Sequence, residues 1–243
     1  SCGCGHKEQV ELPKLNAQEL VVGPNETYKT IEEALAVAQA GDIIKLTAGT
    51  YGAVSIINNG VTIQGPNAGI SAVDGERVDE AIFTADLMIE GNNITIDGIK
   101  LEGAGRIIGA EAGANDVTIK NVLVTGSTVN AGNNSVTAPF HFDAGEGAEF
   151  KNIQIINCKA VDYNCNRPMY FYGREINGIT IQGCYFVGNR QNYNDGFKIN
   201  GDTADFGIKG EVLIQDNYLE GFSQYVIWFR VYGEGSYKII NNT

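Results

Sequence analysis

Short stretches in which apolar and polar residues alternate recur along most of this chain. Seven of them share the form apolar-x-Ile-x-Gly/Asn/Asp, and they are VTIQG from Val61, ITIDG from Ile94, VTIKN from Val117, IQIIN from Ile153, ITIQG from Ile179, VLIQD from Val212 and YKIIN from Tyr237. Alternation with a period of two turns one side of a short strand inward. Because the motif is regular while its spacing varies, we predict one fixed strand per repeat and connecting loops of variable length.

The fifth position of every motif holds a residue type that tolerates a left-handed backbone. The seven residues are Gly65, Gly98, Asn121, Asn157, Gly183, Asp216 and Asn241. We therefore predict a sharp turn at the same place in each repeat, where the asparagine side chains hydrogen-bond exposed backbone. A second strand follows the turn in the segments IKLEG, VLVTG, CKAVD, CYFVG and NYLEG, and a third precedes later motifs in RIIGA, PFHFD, PMYFY, GFKIN and YVIWF.

Three short strands per repeat with a fixed corner predict a parallel β-solenoid, in which each coil buries its apolar face by stacking on its neighbour. A β-sandwich is the competing all-β interpretation. It would be expected to contain Asn-Gly hairpins that join two adjacent strands. The segments INNGV and INGI occur, but each leads into a repeat motif and does not join two equal strands. The pattern therefore favours the solenoid.

The segment TIEEALAVAQA, which precedes the repeats, has the apolar spacing of an amphipathic helix. Its apolar stripe consists of Ile31, Leu35 and Ala38. Thr30 is the predicted N-cap, Glu33 completes a capping box, and Gly41 is the predicted end of the helix. Since the end of a solenoid exposes apolar surface, we predict that this helix covers the first coil.

The segment TYKTIEEALAVAQAGDIIKLTAGTY, followed by repeats such as NNITIDGIKLEG, resembles the right-handed parallel β-helix proteins of the pectin-lyase-like superfamily. Residues 21–51 are similar in particular to the start of its chondroitin and alginate lyases. The resemblance implies an all-β fold: a single-stranded right-handed parallel β-helix of three short sheets and about seven coils, with an N-terminal capping α-helix. It also implies that a polysaccharide lies along the outside of one parallel sheet.

The length and the net charge of the chain limit its domain organisation and the partners that it can bind. The chain has 243 residues and a formal net charge of −12, which argues against general binding of nucleic acid. No apolar run reaches the roughly 18 residues that a membrane span needs. We predict a β-helix domain over residues 21–243, preceded by a flexible tether over residues 1–20. No C-terminal cap is visible after the last motif, which predicts further coils or a further domain beyond Thr243.

The N-terminal SCGCG allows two interpretations. It resembles the end of a bacterial lipoprotein signal, with Cys2 as the lipidated residue, or it is an ordinary tail. Together with the polysaccharide prediction, this suggests an extracytoplasmic bacterial protein at the cell surface or in the periplasm. Further along, Cys158 and Cys184 occupy the same repeat position, so we predict stacked inward thiols, with a disulfide as the alternative.

Alternation also predicts which side chains point outward in the third strands. If Phe140 and Phe142 point inward, the outward set is His141, Asp143, Tyr170, Tyr172, Lys198, Asn200, Trp228 and Arg230, with Arg174 just beyond. A slip of one residue would bury His141 and Lys198 instead. Loops leading into this strip would add Arg167, Arg190 and Asp195. Aromatic rings beside charged hydrogen-bonding groups suit a sugar polymer, although such rings can also simply cover a sheet.

If the strip is catalytic, the reaction that fits is β-elimination on a uronate-containing polysaccharide. Lys198 would be the base and Arg230 the charge stabiliser, with His141 or Tyr170 as rival proton carriers. The substrate-binding residues would be Tyr170, Tyr172, Arg174, Asn200, Trp228 and Asp143. The resembled lyases use a lysine and an arginine in such roles, and they bind calcium through acidic and amide side chains on the same face.

Two observations keep other functions open. No cluster of calcium ligands accompanies Lys198, since the preceding coil offers Tyr172 and Arg174, and we predict no cofactor. Glycoside hydrolysis would need a pair of carboxylates, for which Asp143 and Asp195 are the candidates. The alternative from a different class is a non-catalytic solenoid module of a larger surface protein, used in adhesion or assembly.

Overall fold

The computed structural model describes residues 17–129, 137–172, 175–188, 195–200, 207–230 and 233–243. Three residues considered above lie outside the described part, namely Cys2, Arg174 and Arg190. Thr243 lies within it. The side chains of Asn200 and Arg230 are likewise outside the described part, although their backbones are within it. The proposed lipid anchor at Cys2 stays a prediction.

Within these residues the chain forms one helix, α1 (Ile31–Val37), and 23 strands. The strands are β1 (Glu19–Val22), β2 (Ile43–Leu46), β3 (Gly49–Tyr51), β4 (Val54–Ile56), β5 (Thr62–Gln64), β6 (Ala81–Phe83), β7 (Asp86–Ile89), β8 (Ile94–Asp97), β9 (Lys100–Gly103), β10 (Arg106–Gly109), β11 (Ala114–Lys120), β12 (Leu123–Ser127), β13 (Phe140–Asp143), β14 (Glu149–Ile156), β15 (Lys159–Ala160), β16 (Met169–Tyr172), β17 (Glu175–Gln182), β18 (Tyr185–Val187), β19 (Asp195–Asn200), β20 (Ile208–Gln215), β21 (Tyr218–Glu220), β22 (Tyr225–Arg230) and β23 (Ser236–Ile240).

The strands form three sheets that share the coils between them. The first sheet has the order β1-β2-β5-β8-β11-β14-β17-β20-β23, the second β21-β18-β15-β12-β9-β6-β3, and the third β22-β19-β16-β13-β10-β7-β4. The seven repeat motifs all fall on the first sheet, and the predicted second and third strands fall on the other two. Strand pairing is parallel within each sheet, which contradicts the sandwich alternative and confirms the parallel β-helix.

The core is a set of side-chain columns that run along the helix axis. In the first sheet the central isoleucines of successive motifs pair in register, and they are Ile63, Ile96, Ile119, Ile155, Ile181 and Ile214. None of the six has accessible surface. The stacked thiols Cys158 and Cys184 are buried in the same core and are free, as predicted.

The predicted corner is present at all but one of the seven positions. Gly98, Asn121, Asn157, Gly183, Asp216 and Asn241 have φ between +54° and +77°. Gly65 lacks a positive φ, and its smallness serves packing instead, since a Cβ there would lie 2.1 Å from the carbonyl oxygen of Gly98. The asparagine bonds also differ from the prediction. Asn121 and Asn241 donate to the carboxylates of Asp97 and Asp216 one coil away, at 2.7 and 2.8 Å, and not to backbone.

A second series of left-handed residues lies immediately before the motifs and was not predicted. It comprises Gly60, Asn93, Asp116, Asn152 and Gly178, with φ between +52° and +94°. The signal was present in the segments INNGV and INGI, which lead into a motif. Asp116, Asn152 and Gly178 lie inside strands β11, β14 and β17, so at these three positions the left-handed residue interrupts a longer strand.

Helix α1 begins as predicted and ends earlier. Thr30 Oγ1 accepts the Glu33 amide at 3.2 Å as predicted, whereas the Glu33 carboxylate accepts the amide of Lys29 at 2.7 Å and not that of Thr30, which the capping box would require. The helix ends at Val37 and not near Gly41, because Ala38 is already extended. Asn58 then donates its side-chain amide to the free carbonyl of Leu35 at 2.9 Å. The helix contacts β1, β2 and β4, as a cover for the first coil should.

The start of the β-helix differs by two residues from the predicted boundary at residue 21. Strand β1 begins at Glu19 and pairs in parallel with β2, from Glu19 opposite Ile43 to Val22 opposite Leu46. Leu20 and Val22 are buried. Residues 19 and 20 therefore belong to the first coil and not to a tether.

Candidate functional site

The outer face of the third sheet has the predicted alternation. Phe140 and Phe142 are completely buried in the core, and so are Phe197 and Ile199 on either side of Lys198. This excludes the slip of one residue that would have turned His141 and Lys198 toward the core. The side chains at these two positions therefore leave the sheet on its outer side.

Strand register gathers most of the predicted site residues into two rows across four successive coils. His141, Tyr170, Lys198 and Trp228 pair consecutively along one row, which we call the inner row. Asp143, Tyr172, Asn200 and Arg230 pair along the next, the outer row. Eight of the nine predicted residues thus share one part of the sheet, and the ninth, Arg174, lies outside the described residues. Their assigned roles stay predictions.

An outward position does not mean an exposed side chain here. His141, Tyr170 and Lys198 retain 9, 3 and 8 % of their accessible surface. Among the row members whose side chains the structure describes, Asp143, Tyr172 and Trp228 are half-buried and meet solvent. A ligand on this face would therefore contact these three side chains before it reached His141, Tyr170 or Lys198.

The inner row is held together by stacked rings and a cation. The ammonium nitrogen of Lys198 lies 3.8 Å from the ring centroid of Trp228 and 5.9 Å from that of Tyr170. The rings of His141 and Tyr170 stack with centroids 5.5 Å apart, and Tyr170 and Tyr172 stack at 6.2 Å. Aromatic faces attract a cation strongly when it is shielded from water, so Lys198 stabilises this column.

His141 is neutral at pH 7. Burial, assisted by the Arg106 guanidinium and partly opposed by the Asp86 carboxylate, lowers its pKa to about 4. Its Nε2 lies 3.9 Å from Asp143 Oδ2, and its buried Nδ1 has no hydrogen-bond partner among the described residues. Burial and the Glu111 carboxylate raise the pKa of Asp143. A neutral imidazole of this kind can donate one hydrogen bond and accept another but supplies no positive charge.

An ion pair at the start of the third sheet was missed from the sequence. Arg106 donates from Nε to Asp86 Oδ1 at 2.8 Å and from Nη2 to Oδ2 at 2.9 Å. The two residues pair in register on β7 and β10, and both remain partly exposed. The available signal was the segment RIIGA, recognised as a strand, whose first residue alternates with the buried Ile107.

Arg167 and Asp195 have a different place from the one predicted. Arg167 Nη2 lies 2.9 Å from Asp195 Oδ2, and the two side chains are 2 and 0 % exposed. They form a buried ion pair instead of lining the strip. Since Asp195 is inaccessible, it does not serve with Asp143 as the carboxylate pair of a glycoside hydrolase.

In the described part of the chain, a metal centre would need a cluster of ligand side chains, and a helical membrane span would need a long apolar helix. No three His, Cys, Asp or Glu side chains come together there as potential metal ligands, and the absence of a cofactor stays a prediction. None of the helices in that part has the length and apolarity that crossing a bilayer requires.

No family model matches this chain, and no curated protein does. Two solved structures match along almost the whole chain, and both are crystal structures of pectin methylesterase from Aspergillus niger. The deglycosylated form has a TM-score of 0.53 and 14 % identity, over 95 % of this chain and 87 % of that one. The penultimately deglycosylated form has the same score and identity, over 96 and 87 %.

At this identity the likeness shows the fold alone. It agrees with the three parallel sheets in assigning a right-handed parallel β-helix fold. The particular similarity of residues 21–51 to chondroitin and alginate lyases stays a prediction.

Proposed function

We propose that this protein binds a polysaccharide along the outer face of the third sheet. The observation that carries the proposal is the inner row, in which four successive coils contribute His141, Tyr170, Lys198 and Trp228 in register. The two structural neighbours support it by analogy, because they are pectin methylesterases and pectin is a polysaccharide. A repeat that delivers one side chain per coil suits a polymer that presents one sugar after another.

The chemistry of this face favours a sugar chain that carries carboxylates. Trp228 offers a half-buried ring beside Tyr225, with centroids 4.9 Å apart, and such rings pack against the apolar faces of sugars. Lys198 supplies positive charge, while that of Arg106 is compensated by Asp86, and the exposed part of Asp143 can accept hydrogen bonds from hydroxyl groups. Cations behind aromatic rings attract uronates more than neutral sugars.

The binding proposal is tested by calorimetric titration with polyuronates, pectins of graded methyl esterification and neutral polysaccharides. We expect the polyuronates to bind, and we expect Trp228→Ala and Tyr172→Ala each to weaken binding tenfold or more. Tyr237→Ala is the matched control, because Tyr237 is an exposed tyrosine on the first sheet. The proposal is wrong if no polysaccharide binds, or if the control weakens binding as much as the two strip variants do.

The catalytic form of the proposal is β-elimination, in which the proton beside a uronate carboxylate leaves, the glycosidic oxygen departs and a carbon–carbon double bond forms. In its favour, Lys198 and Arg230 belong to adjacent strands, since Arg230 pairs with Asn200. Against it, Lys198 is buried between two rings and must move to reach a substrate. The unsaturated product absorbs in the ultraviolet, which gives a direct assay.

Lys198→Met and Arg230→Ala should abolish that absorbance if the reaction occurs. If no polyuronate yields the product while binding is intact, the protein is a non-catalytic polysaccharide-binding module. That result would favour the adhesion or assembly role and leave the binding proposal standing.

The same proposal implies an extracytoplasmic setting at the cell surface or in the periplasm, because large polysaccharides do not cross a cytoplasmic membrane. Lipidation of Cys2 would hold the chain there. Fatty-acid labelling of the protein in cells, with Cys2→Ser as the control, tests the anchor. Label that persists in the variant would exclude Cys2 as its site.

A further inference from the structure

A groove of about 770 Å³ opens on a different face, at the carboxyl ends of the second-sheet strands. Its polar lining comes from four coils and includes Ser127, Thr128, Lys159, Asp162, Tyr185 and Glu220. None of the residues that line it belongs to the inner or outer row of the third sheet. Its volume lies within the range of roughly 300–1,000 Å³ that is usual for small-ligand sites.

The floor of the groove continues a column of side chains on the second sheet. Lys159, Tyr185 and Tyr218 pair in register on β15, β18 and β21. The two tyrosine rings stack with centroids 4.6 Å apart and planes 7° from parallel, and the Lys159 ammonium lies 5.4 Å from the Tyr185 centroid. Because the ring faces cover one another, the column presents ring edges and hydroxyl groups outward.

The walls are fixed by backbone hydrogen bonds between the turns of adjacent coils. Gly126 donates to the carbonyl of Asp162 at 2.7 Å, and Asn164 donates to that of Ser127 at 2.7 Å. Gly188 donates to the carbonyl of Glu220 at 2.6 Å. A groove whose walls are tied in this way loses little conformational freedom when it is filled.

The charges and hydrogen-bonding groups select the class of ligand. Asp162 and Glu220 outnumber the single ammonium of Lys159, so a polyanion is disfavoured. The Tyr218 hydroxyl donates to Glu220 Oε2 at 3.0 Å, which orients this carboxylate at the edge of the groove. Carboxylates, hydroxyls and an ammonium side by side match a ligand with many hydroxyl groups, each of which donates and accepts.

We propose that this groove is a second carbohydrate site, which takes a neutral oligosaccharide. This site differs from the polyuronate site on the third sheet, because it lies on the second sheet and takes an uncharged ligand. With both sites filled, one molecule would hold an acidic and a neutral glycan on two faces of the same β-helix.

The test is calorimetric titration with neutral oligosaccharides of about six sugars, namely gluco-, galacto-, manno- and xylo-oligosaccharides, and with an oligogalacturonide of equal length. We expect at least one neutral ligand to bind with a dissociation constant below about 1 mM. Glu220→Gln and Asp162→Asn should each weaken that binding at least fivefold, since a neutral amide accepts hydrogen bonds less strongly than a carboxylate. Circular dichroism confirms that the variants are folded.

Two controls separate this site from the third sheet. Glu102→Gln is the matched variant, because Glu102 follows Lys100 by two residues on the second sheet as Glu220 follows Tyr218, but it lies outside the groove. Trp228→Ala should leave neutral binding unchanged and weaken polyuronate binding. The proposal is overturned if no neutral ligand binds, if Glu220→Gln and Asp162→Asn have no effect, or if Trp228→Ala abolishes neutral binding. Failure of polyuronate binding alone would overturn only the function proposed for the third sheet.

Discussion

The ammonium nitrogen of Lys198 lies 3.8 Å from the ring centroid of Trp228, on the next coil of the third sheet. Lys198 is also 8 % exposed, so this contact is shielded from most solvent. The pair therefore consists of a buried cation and a half-buried aromatic ring that a ligand can reach.

We expect Lys198 and Trp228 to be energetically coupled by about 1–2 kcal/mol, the range of a cation–π contact that is largely desolvated. A double-mutant cycle of Lys198→Met, Trp228→Leu and the combined variant isolates this coupling from the separate cost of changing each side chain. Unfolding in urea, followed by circular dichroism, gives the four free energies. Additive effects of the two substitutions would show that the contact contributes nothing.

The stability of the protein should decrease as the pH falls from 6.5 toward 4. His141 has a pKa of about 4 when folded, against about 6.5 for an unperturbed histidine, so the unfolded state binds more protons in this range. The full difference is on the order of 3 kcal/mol. Asp143, whose pKa is raised, offsets part of this loss near the acidic end, because it takes up its proton more readily in the folded state.

His141→Gln should remove the slope between pH 6.5 and 4 that histidine produces. Urea midpoints at pH 7.5, 6.0, 5.0 and 4.5 for both proteins measure it. Equal slopes in the two proteins would mean that His141 is not held neutral by its surroundings.

The side on which the third-sheet side chains leave their strands could be predicted from the sequence, whereas their burial and their pairing between coils could not. Alternation around Phe140 is local, so it fixed the side on which His141 and Lys198 leave the strand. Their low exposure depends on rings from neighbouring coils, such as Tyr170 and Trp228, and on how those rings stack. The Asp86 and Arg106 pair was missed for the same reason, since only the register of β7 against β10 brings it together.

The backbone and the side chain of the corner asparagine Asn121 should each contribute separately to the stability of the fold. Its φ is +56°, and its side chain donates to the buried Asp97 carboxylate at 2.7 Å. Asn121→Gly keeps the backbone freedom and loses only the hydrogen bond, which costs about 1–3 kcal/mol because Asp97 stays buried. Asn121→Ala adds the strain of a left-handed alanine, about 1 kcal/mol more. Urea unfolding of both variants tests this order, and an alanine variant as stable as the glycine variant would contradict it.

The Arg167 and Asp195 pair should be necessary for stability. Replacing Arg167 by Met leaves the Asp195 carboxylate buried without its cation, and breaking a buried pair in this way costs about 3–5 kcal/mol. Arg167→Met combined with Asp195→Leu should recover much of that loss, since no charge is left behind. Thermal unfolding of the single and double variants gives the comparison. A double variant less stable than Arg167→Met would show that the cost does not come from the unpaired carboxylate.

Gly65 offers the sharpest test of how tightly the coils are stacked. A Cβ at this position would lie 2.1 Å from the carbonyl oxygen of Gly98 and 3.0 Å from the Cγ2 atom of Ile99. Backbone cannot yield as a flexible side chain does, so Gly65→Ala should destabilise the protein by about 1–3 kcal/mol or more.

Alanine substitutions at two other glycines, Gly52 and Gly103, separate the effect of packing from that of backbone strain. Gly52 has open space and no positive φ, so Gly52→Ala should be neutral or stabilising by up to about 1 kcal/mol. Gly103 has open space but a φ of +55°, so Gly103→Ala should cost about 1–2 kcal/mol through the backbone alone. Urea unfolding of the three alanine variants should rank them Gly52, Gly103 and Gly65 in order of increasing loss. A Gly65→Ala variant as stable as Gly52→Ala would mean that the coils separate more easily at this corner than the 2.1 Å approach implies.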